Sequence, residues 1–221
     1  MAIDPTLIQR VMRLEITRIE DMSPEPSLPV DAATLRTHCR ALTTDDTMLE
    51  LYQRAAIQSL ENESGKTIVA RQHVLVLGDF PRTGEHGILL PRGKTQSISK
   101  IDYSATDGTV TMYGDSSDLS PGSADYQEDL TGDNGGVVYP VAGSSWATPD
   151  FDSANPVKIT FTAGYNEGEV PPDIIEAIMF LVSTLFEHRG AADLIVGGSV
   201  NKELFSVAML LIQTRQTHPF A

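Results

Sequence analysis

The chain has 221 residues, with 16 Lys and Arg against 30 Asp and Glu and a formal net charge of −14 at pH 7. A chain of this length can bury a hydrophobic core as one mixed domain or two small ones, without a metal or a disulfide. The excess of acidic residues argues against tight binding to nucleic-acid phosphates, because such binding depends on Lys and Arg side chains that displace the counterions.

The first 22 residues allow two interpretations. Asp4 and Pro5 could cap a helix that carries Leu7 and Val11, whereas residues 14–19 favour a strand. The sequence does not decide between the two. Residues 23–29 contain three prolines in seven positions and are typical of a stiff connector, so we expect a boundary there.

Two helices are predicted after the connector. Asp31 is the expected N-cap of a short helix over residues 32–42. A longer helix is expected to begin near Thr44 and to end at Gly65, which can adopt the left-handed conformation. The face of this longer helix that we expect to pack on the central helix comprises Met48, Leu51, Tyr52, Ala55, Ala56, Ser59 and Leu60.

Residues 66–165 change to the two-residue period of β-strands, as in QHVLVLGDFP, ISKIDYSATDGTVTMYG and PVKITFTAGY. Asp107 and Gly108 lie between alternating runs and predict a tight hairpin. Along the last run, Val157, Ile159 and Phe161 are expected on one face of the strand. Long acidic segments separate these strands, and we expect Trp146 to anchor one of the loops.

The strongest helix signal covers residues 171–189, which are apolar around most of the helix circumference and therefore predict a central helix. Pro171 and Pro172 suit its first turn, and Gly190 suits its end. Phe180 is the one large apolar residue on the polar arc of this helix. It is either an ordinary exposed side chain or, with Glu176 and Glu187, part of a contact with another chain.

The C-terminal segment, residues 202–216, has almost no polar face and is expected to need cover. That cover is either the helical core of the same subunit or an assembly interface, which the tail over residues 217–221 could extend. An assembly role gives the candidate partner-binding residues Phe205, Met209, Leu210, Leu211, Arg215, His218 and Phe220.

No motif predicts catalysis or a metal site. Ser97 and Lys100 have a nucleophile-like spacing but lie in a predicted strand, where that chemistry needs a helix start. The five histidines are scattered without metal-ligand spacing, and residues 129–136 lack the ligand pattern of a calcium loop. With Cys39 alone, no run of 18 apolar residues and no signal-peptide pattern, we expect a cytosolic, soluble chain with no cofactor and no membrane partner.

In combination, several phrases of the sequence resemble head-to-tail connector (adaptor) proteins of long-tailed bacteriophages. They include LPRGKTQSISKI at residues 90–101, DYQEDL at residues 125–130, and TAGY followed by VPPDI in residues 162–174. The resemblance extends from about Leu28 to Arg215 and keeps the order of the segments.

This resemblance implies an α+β fold, in which a helical bundle around the central helix carries a β-rich insertion between its second and third helices. The expected parts are an N-terminal extension (1–27), the first part of the bundle (28–65), the insertion (66–165), and the rest of the bundle with the C-terminal tail (166–221). It further implies a structural protein, not an enzyme.

The family forms rings, commonly of twelve subunits, in the neck of the virion. Such a ring docks beneath the portal, binds the next connector, stopper or tail protein, and lets DNA pass without holding it. Assembly takes place in the host cytoplasm. The C-terminal candidates would then contact the portal, and the acidic loops would face the channel or the next ring through Asp115, Asp118, Asp129 and Asp133.

Two other classes compete with this interpretation: a monomeric β-rich binding module, and a hydrolase whose catalytic residues are dispersed along the chain. A stable monomer with a deep polar pocket would favour them, whereas a large ring would favour the connector. The mass of the protein in solution therefore separates the alternatives.

Overall fold

The computed structural model describes residues 16–21, 27–81, 87–113, 126–141 and 145–188. Contacts within the chain divide it into two units. We call the first the β unit; its described part is residues 16–21 together with those of 71–164. The second is the helical unit, described over residues 27–70 and 165–188. Each unit has its own hydrophobic core.

The helical unit contains α1 (Ala32–Cys39), a 3₁₀ turn (Thr43–Asp45), α2 (Asp46–Ser64) and α3 (Pro172–Glu187). The predicted Asp31 cap of α1 and the predicted Gly65 end of α2 are confirmed, whereas α2 begins at Asp46, not near Thr44, and its N-cap Asp45 makes no side-chain capping bond. The Oδ1 of Asp31 accepts a hydrogen bond from the Thr34 N–H at 2.9 Å, and Gly65 closes α2 with a φ of 68°. These caps satisfy backbone groups that a helix end leaves without partners.

Two helix ends differ from the prediction. The first helix stops at Cys39, not at residue 42, because Arg40 adopts the left-handed conformation with a φ of 53°. Its N–H bonds back to the Arg36 carbonyl, as in a glycine-type helix end. Likewise α3 ends at Glu187, so His188 follows the helix and does not belong to its last turn.

The third helix is central to the core of the helical unit, as predicted. One apolar cluster contains residues from all three helices, and the α3 residues in it are buried: Ile174, Ala177, Ile178, Leu181, Val182 and Phe186. Opposite them lie Leu35 of α1 and Leu49, Ala56, Ile57 and Leu60 of α2.

The predicted inner face of α2 is wrong in part. Met48, Leu51, Ala55 and Ser59 are exposed. Ala56 and Leu60 are buried as predicted, together with four residues outside the predicted face: Leu49, Gln53, Ile57 and Glu61. The predicted face and the observed face both follow helical spacing. The observed face includes the polar residues Gln53 and Glu61, so the spacing of apolar residues favoured the other face. One of these two polar side chains bonds to backbone nearby in the sequence: the Glu61 carboxylate accepts from the Ile68 N–H at 2.7 Å.

The β unit contains two antiparallel sheets. The five-stranded sheet has the order β1-β2-β8-β4-β5, formed by β1 (Ile16–Asp21), β2 (Arg71–Leu77), β8 (Val157–Ala163), β4 (Thr95–Ser104) and β5 (Val110–Tyr113). The three-stranded sheet has the order β3-β7-β6, formed by β3 (Ile88–Leu89), β7 (Val137–Pro140) and β6 (Tyr126–Asp129).

The strand predictions are confirmed where the pattern was strongest. Strands β4 and β5 form a hairpin whose turn contains Gly108, with a φ of 82°. Val157, Ile159 and Phe161 of β8 are fully buried, and each belongs to the core of this unit. Within the first 22 residues, for which the sequence allowed a helix or a strand, residues 16–21 form strand β1, and residues 1–15 lie outside the described residues.

The predicted α+β class therefore holds for the described residues, which form three α-helices and two antiparallel sheets.

Candidate assembly surfaces

Phe180 lies on α3 as a half-buried side chain, not as an isolated exposed residue. One turn further along α3, the hydroxyls of Ser183 and Thr184 both donate to the Phe180 carbonyl at 2.9 Å. Glu176 and Glu187 are exposed. The polar arc of α3 is therefore less polar than its sequence indicates, because two of its hydroxyls are satisfied within the helix.

A second surface in the helical unit was missed by the sequence reasoning. Leu42 is 70% exposed, Leu51 is 62% exposed and Met48 is 41% exposed. These three are the strongly exposed large apolar side chains in the described part of this unit, and all fall within ten residues. We call this surface the α2 patch. A signal for it existed, since Met48 and Leu51 share one helical stripe.

Two of the four acidic candidates lie in the described residues, both beside the three-stranded sheet. Asp129 ends β6, and its Oδ1 accepts from the hydroxyl (2.6 Å) and the N–H (3.1 Å) of Thr131. These bonds, the hydroxyl first, lower the pKa of Asp129. Asp133 lies 3.8 Å from the Lys94 ammonium. Asp115 and Asp118 lie outside the described residues.

The turn that carries Asp133 is held close to the strands beside it. The N–H of Gly136 donates to the Thr95 hydroxyl at 2.9 Å, and Thr95 is almost fully buried. Gly135 has a φ of 138°, and a Cβ there would collide with the Leu90 carbonyl oxygen. Only glycine fits such a close approach of two backbones, so this acidic turn has a fixed position in the β unit.

An aromatic cluster fixes the end of the five-stranded sheet. Trp146 stacks on Phe80 with ring centroids 4.9 Å apart, and Tyr113 of β5 meets both rings edge-on. The Tyr113 hydroxyl accepts from the Ala147 N–H at 2.6 Å. The expected anchoring role of Trp146 is confirmed, and β5 is held in place at the edge of its sheet.

The C-terminal candidates, from Phe205 to Phe220, lie outside the described residues.

The described residues offer little for chemistry. None of their His, Cys, Asp and Glu side chains form a group of three that could hold a metal ion. Ser97 and Lys100 lie on β4, as expected, and burial, with a smaller effect of Glu187, raises the pKa of the Cys39 thiol. A raised pKa keeps the thiol protonated and a poor nucleophile. Among the helices described, none is long and apolar enough to span a membrane.

No family model matches the chain, and no curated protein matches it in sequence. Solved structures do resemble it. A chain in the neck of an empty gene transfer agent particle, computed with C6 symmetry, is 21% identical with a TM-score of 0.66; the match covers 93% of this chain and 98% of that one.

Two further chains give similar values. One belongs to the virion of a native gene transfer agent particle, with a TM-score of 0.63, 21% identity and coverage of 92% and 97%. The other belongs to the neck of the native particle computed with C12 symmetry, with a TM-score of 0.63, 20% identity and coverage of 93% and 98%. The chain therefore shares its fold with components of a phage-like particle.

Proposed function

We propose that this protein is a structural virion protein of the neck, a head-to-tail connector without enzymatic activity. One observation carries the proposal: chains from gene transfer agent necks match this fold over 93% of its length and over 98% of their own. The match covers nearly all of both chains, so the shared fold is not confined to one part of them. The connector resemblance of the sequence points to the same place in a particle.

The proposed architecture is a helical bundle into which the β-rich region is inserted between the second and third helices. Support comes from the chain order, because α1 and α2 precede the strands β2 to β8 and α3 follows them. The helices on both sides of this region share one core cluster. We assign residues 28–65 and 166–221 to the bundle, residues 66–165 to the insertion and residues 1–27 to an N-terminal extension.

The proposed assembly is a ring, with twelve copies as the first expectation. The similar necks were computed with C6 and C12 symmetry, which a twelve-membered ring satisfies in both cases. Exposed apolar side chains at the α2 patch and the half-buried Phe180, with Glu176 and Glu187 around it, are candidate contacts between copies. Clusters of exposed apolar side chains mark protein–protein contact sites, and these residues are proposed on that ground.

In this assembly the C-terminal residues, from Phe205 to Phe220, bind the portal above the ring. The acidic candidates Asp129 and Asp133 face the channel or the next connector, stopper or tail protein. With −14 per copy, the channel wall repels DNA phosphates, so that DNA passes in transit without being bound. The assembled protein is located in the virion neck and, before assembly, in the host cytoplasm.

The test is to purify the protein, measure its mass in solution, and image it by electron microscopy alone and with its portal protein. Rings, either alone or on the portal, are the expected result. A protein that stays monomeric under both conditions and adds no density to the portal would overturn the proposal. It would then favour a monomeric binding module or a hydrolase.

A further inference from the structure

The five-stranded sheet ends in two strands that have only one partner each. Strand β1 pairs only with β2, and β5 pairs only with β4, among the described residues. An unpaired strand edge presents backbone N–H and C=O groups that can pair with another chain. The two ends of one sheet are thus potential docking edges.

The register shows which groups of β5 point outward. Tyr103 of β4 pairs with Thr111 of β5, and the Ala105 N–H donates to the Thr109 carbonyl at 2.7 Å. The N–H of Ser104, between them, donates instead to the Pro156 carbonyl, on the side of β4 that faces away from β5. Because these directions alternate along a strand, Thr109 and Thr111 point to β4, and the N–H and C=O groups of Val110 and Met112 point away from the sheet.

The side chains of the same two residues are uncovered. Val110 is 73% exposed and Met112 is 57% exposed, although both are apolar. Residues 110–113 contain no charge and no proline, the devices by which edge strands commonly avoid pairing. The edge strand β6 of the other sheet, in contrast, carries Glu128 and Asp129. Strand β5 therefore has the composition of an edge that is paired.

The other end of the sheet is also an edge, formed by β1, a strand that includes the charged residues Arg18, Glu20 and Asp21. Glu20 lies opposite Val74 and Ile19 opposite Leu75, and Leu75 in turn lies opposite Ile159 of β8. The Ser104 N–H donates to the Pro156 carbonyl, so the alternating direction of the backbone groups can be followed from β4 through β8 and β2 to β1. It leaves the N–H and C=O groups of Ile19 and Asp21 pointing outward. Each edge thus presents two residues, two positions apart.

We propose that neighbouring copies of this chain join their five-stranded sheets, with β5 of one copy pairing in parallel with β1 of the next. This inference rests on the proposed ring. The direction follows from the topology, because five antiparallel strands make β1 and β5 run the same way. A head-to-tail contact that repeats around an axis needs two different surfaces on each copy, and the two edges supply them.

The side-chain faces agree with parallel pairing. Ile19 packs on the core of the β unit, so the next residue, Glu20, lies on the opposite, outer face of the sheet. Met112, which pairs with Asp102 of β4, lies on this outer face too. In a parallel pair, a residue whose N–H and C=O point to its partner strand lies beside one whose groups point away. Met112 can therefore lie beside Glu20 of the next copy, between Ile19 and Asp21, and the outer faces of both sheets stay continuous.

The experiment is a disulfide cross-link in a Cys39→Ser background. The double variant Met112→Cys with Glu20→Cys should give a ladder of covalent multimers under oxidation, because paired strands bring Cα atoms within the 4.4–6.8 Å that a disulfide needs. Each single variant serves as the control and should yield no species larger than a dimer. The oxidation is carried out on assembled rings, or on rings docked to the portal, and the covalent multimers are then counted.

A second variant tests the backbone contact itself. Met112→Pro removes an outward N–H without removing a bond to β4, whereas Met112→Ala keeps that N–H. We expect the proline variant alone to lose at least tenfold in ring assembly, with the circular dichroism of both variants unchanged. If the proline variant misfolds, the cross-link decides.

The possible results separate this inference from the proposed function. Rings that form without the multimer ladder would overturn the joined sheets and leave the connector in place. A wild-type protein that never assembles, with or without portal, would overturn the connector as well.

Discussion

The Nε2 of Gln53, a fully buried residue of α2, donates a 2.8 Å hydrogen bond to the carbonyl oxygen of Val30, which precedes α1. This bond ties the segment that enters the helical unit to the middle of its second helix. The Oε1 of Gln53 has no hydrogen-bond partner in the described part of the chain. A neutral amide can tolerate that site, whereas a carboxylate cannot.

Gln53→Glu should therefore destabilise the protein by several kcal/mol at pH 7, since it places an unpaired charge in the core. Burial raises the pKa of the new carboxyl, so the loss is complete above that raised value and disappears below about pH 4, where the unfolded carboxyl is also protonated. Urea unfolding across this pH range measures it. Gln58→Glu, on the exposed face of the same helix, is the matched control and should stay within about 0.5 kcal/mol.

Two adjacent carboxylates on β6 should respond to pH in opposite directions. Glu128 lies across from the buried Val138, and desolvation raises the pKa of its carboxyl above 4.5. Ionised Glu128 therefore costs stability, with the full cost above its folded pKa and none below about pH 4. Glu128→Gln should raise the melting temperature at pH 7 and have little effect at pH 3.

Asp129 has a lowered pKa, below 3.8, because of its bonds from Thr131. Its charge stabilises the fold at neutral pH, and this contribution is lost as the pH falls through the folded value. Asp129→Asn should lower the melting temperature at pH 7, and the difference from wild type should shrink towards pH 2. Equal responses of the two variants would contradict these assignments.

Phe180→Asp should weaken ring assembly, because a half-buried phenyl ring has roughly 1 kcal/mol of apolar surface left to bury in each contact. Sedimentation measures the assembly, and circular dichroism checks the folded state. Leu51→Asp makes the same change on the α2 patch of the same unit. Intact rings with Phe180→Asp would remove α3 from the interface, and a loss with Leu51→Asp would place the interface on α2.

Removing residues from Gln213 onward should abolish portal binding while leaving the melting transition unchanged. The physical reason is that an apolar segment folding on its partner contributes to binding, not to the stability of the free chain. Portal pull-down and calorimetry provide the measurement. Undiminished binding by the shortened protein would show that the portal contacts lie elsewhere in the chain.

Duplex DNA should not bind with appreciable affinity. At about 50 mM salt we expect nothing tighter than the weak non-specific range of roughly 10⁻⁴ M, since an acidic chain releases few counterions from DNA. Fluorescence anisotropy with a labelled duplex tests this. Submicromolar binding that falls steeply with added salt would reveal a basic surface and contradict the proposed channel.

The sequence alone determined the features that depend on neighbours along the chain. The Asp31 cap, the Gly65 helix end, the hairpin at Gly108 and the buried face of β8 follow from local hydrogen bonding and periodicity. The central helix was also predictable, because a helix that is apolar around most of its circumference must be surrounded.

Tertiary structure decided which of several possible faces is buried. Helix α2 has two stripes that could pack inward, and contacts with α1 and α3 bury the one that contains Gln53 and Glu61. The same packing leaves Leu51 in solvent and makes Phe180 half-buried. Strand order likewise cannot be predicted from periodicity. Strand β5 is an edge, with Val110 and Met112 uncovered, because β4 pairs on its other side with β8, which is distant in the sequence. Such choices depend on contacts between residues far apart in sequence, which no local pattern encodes.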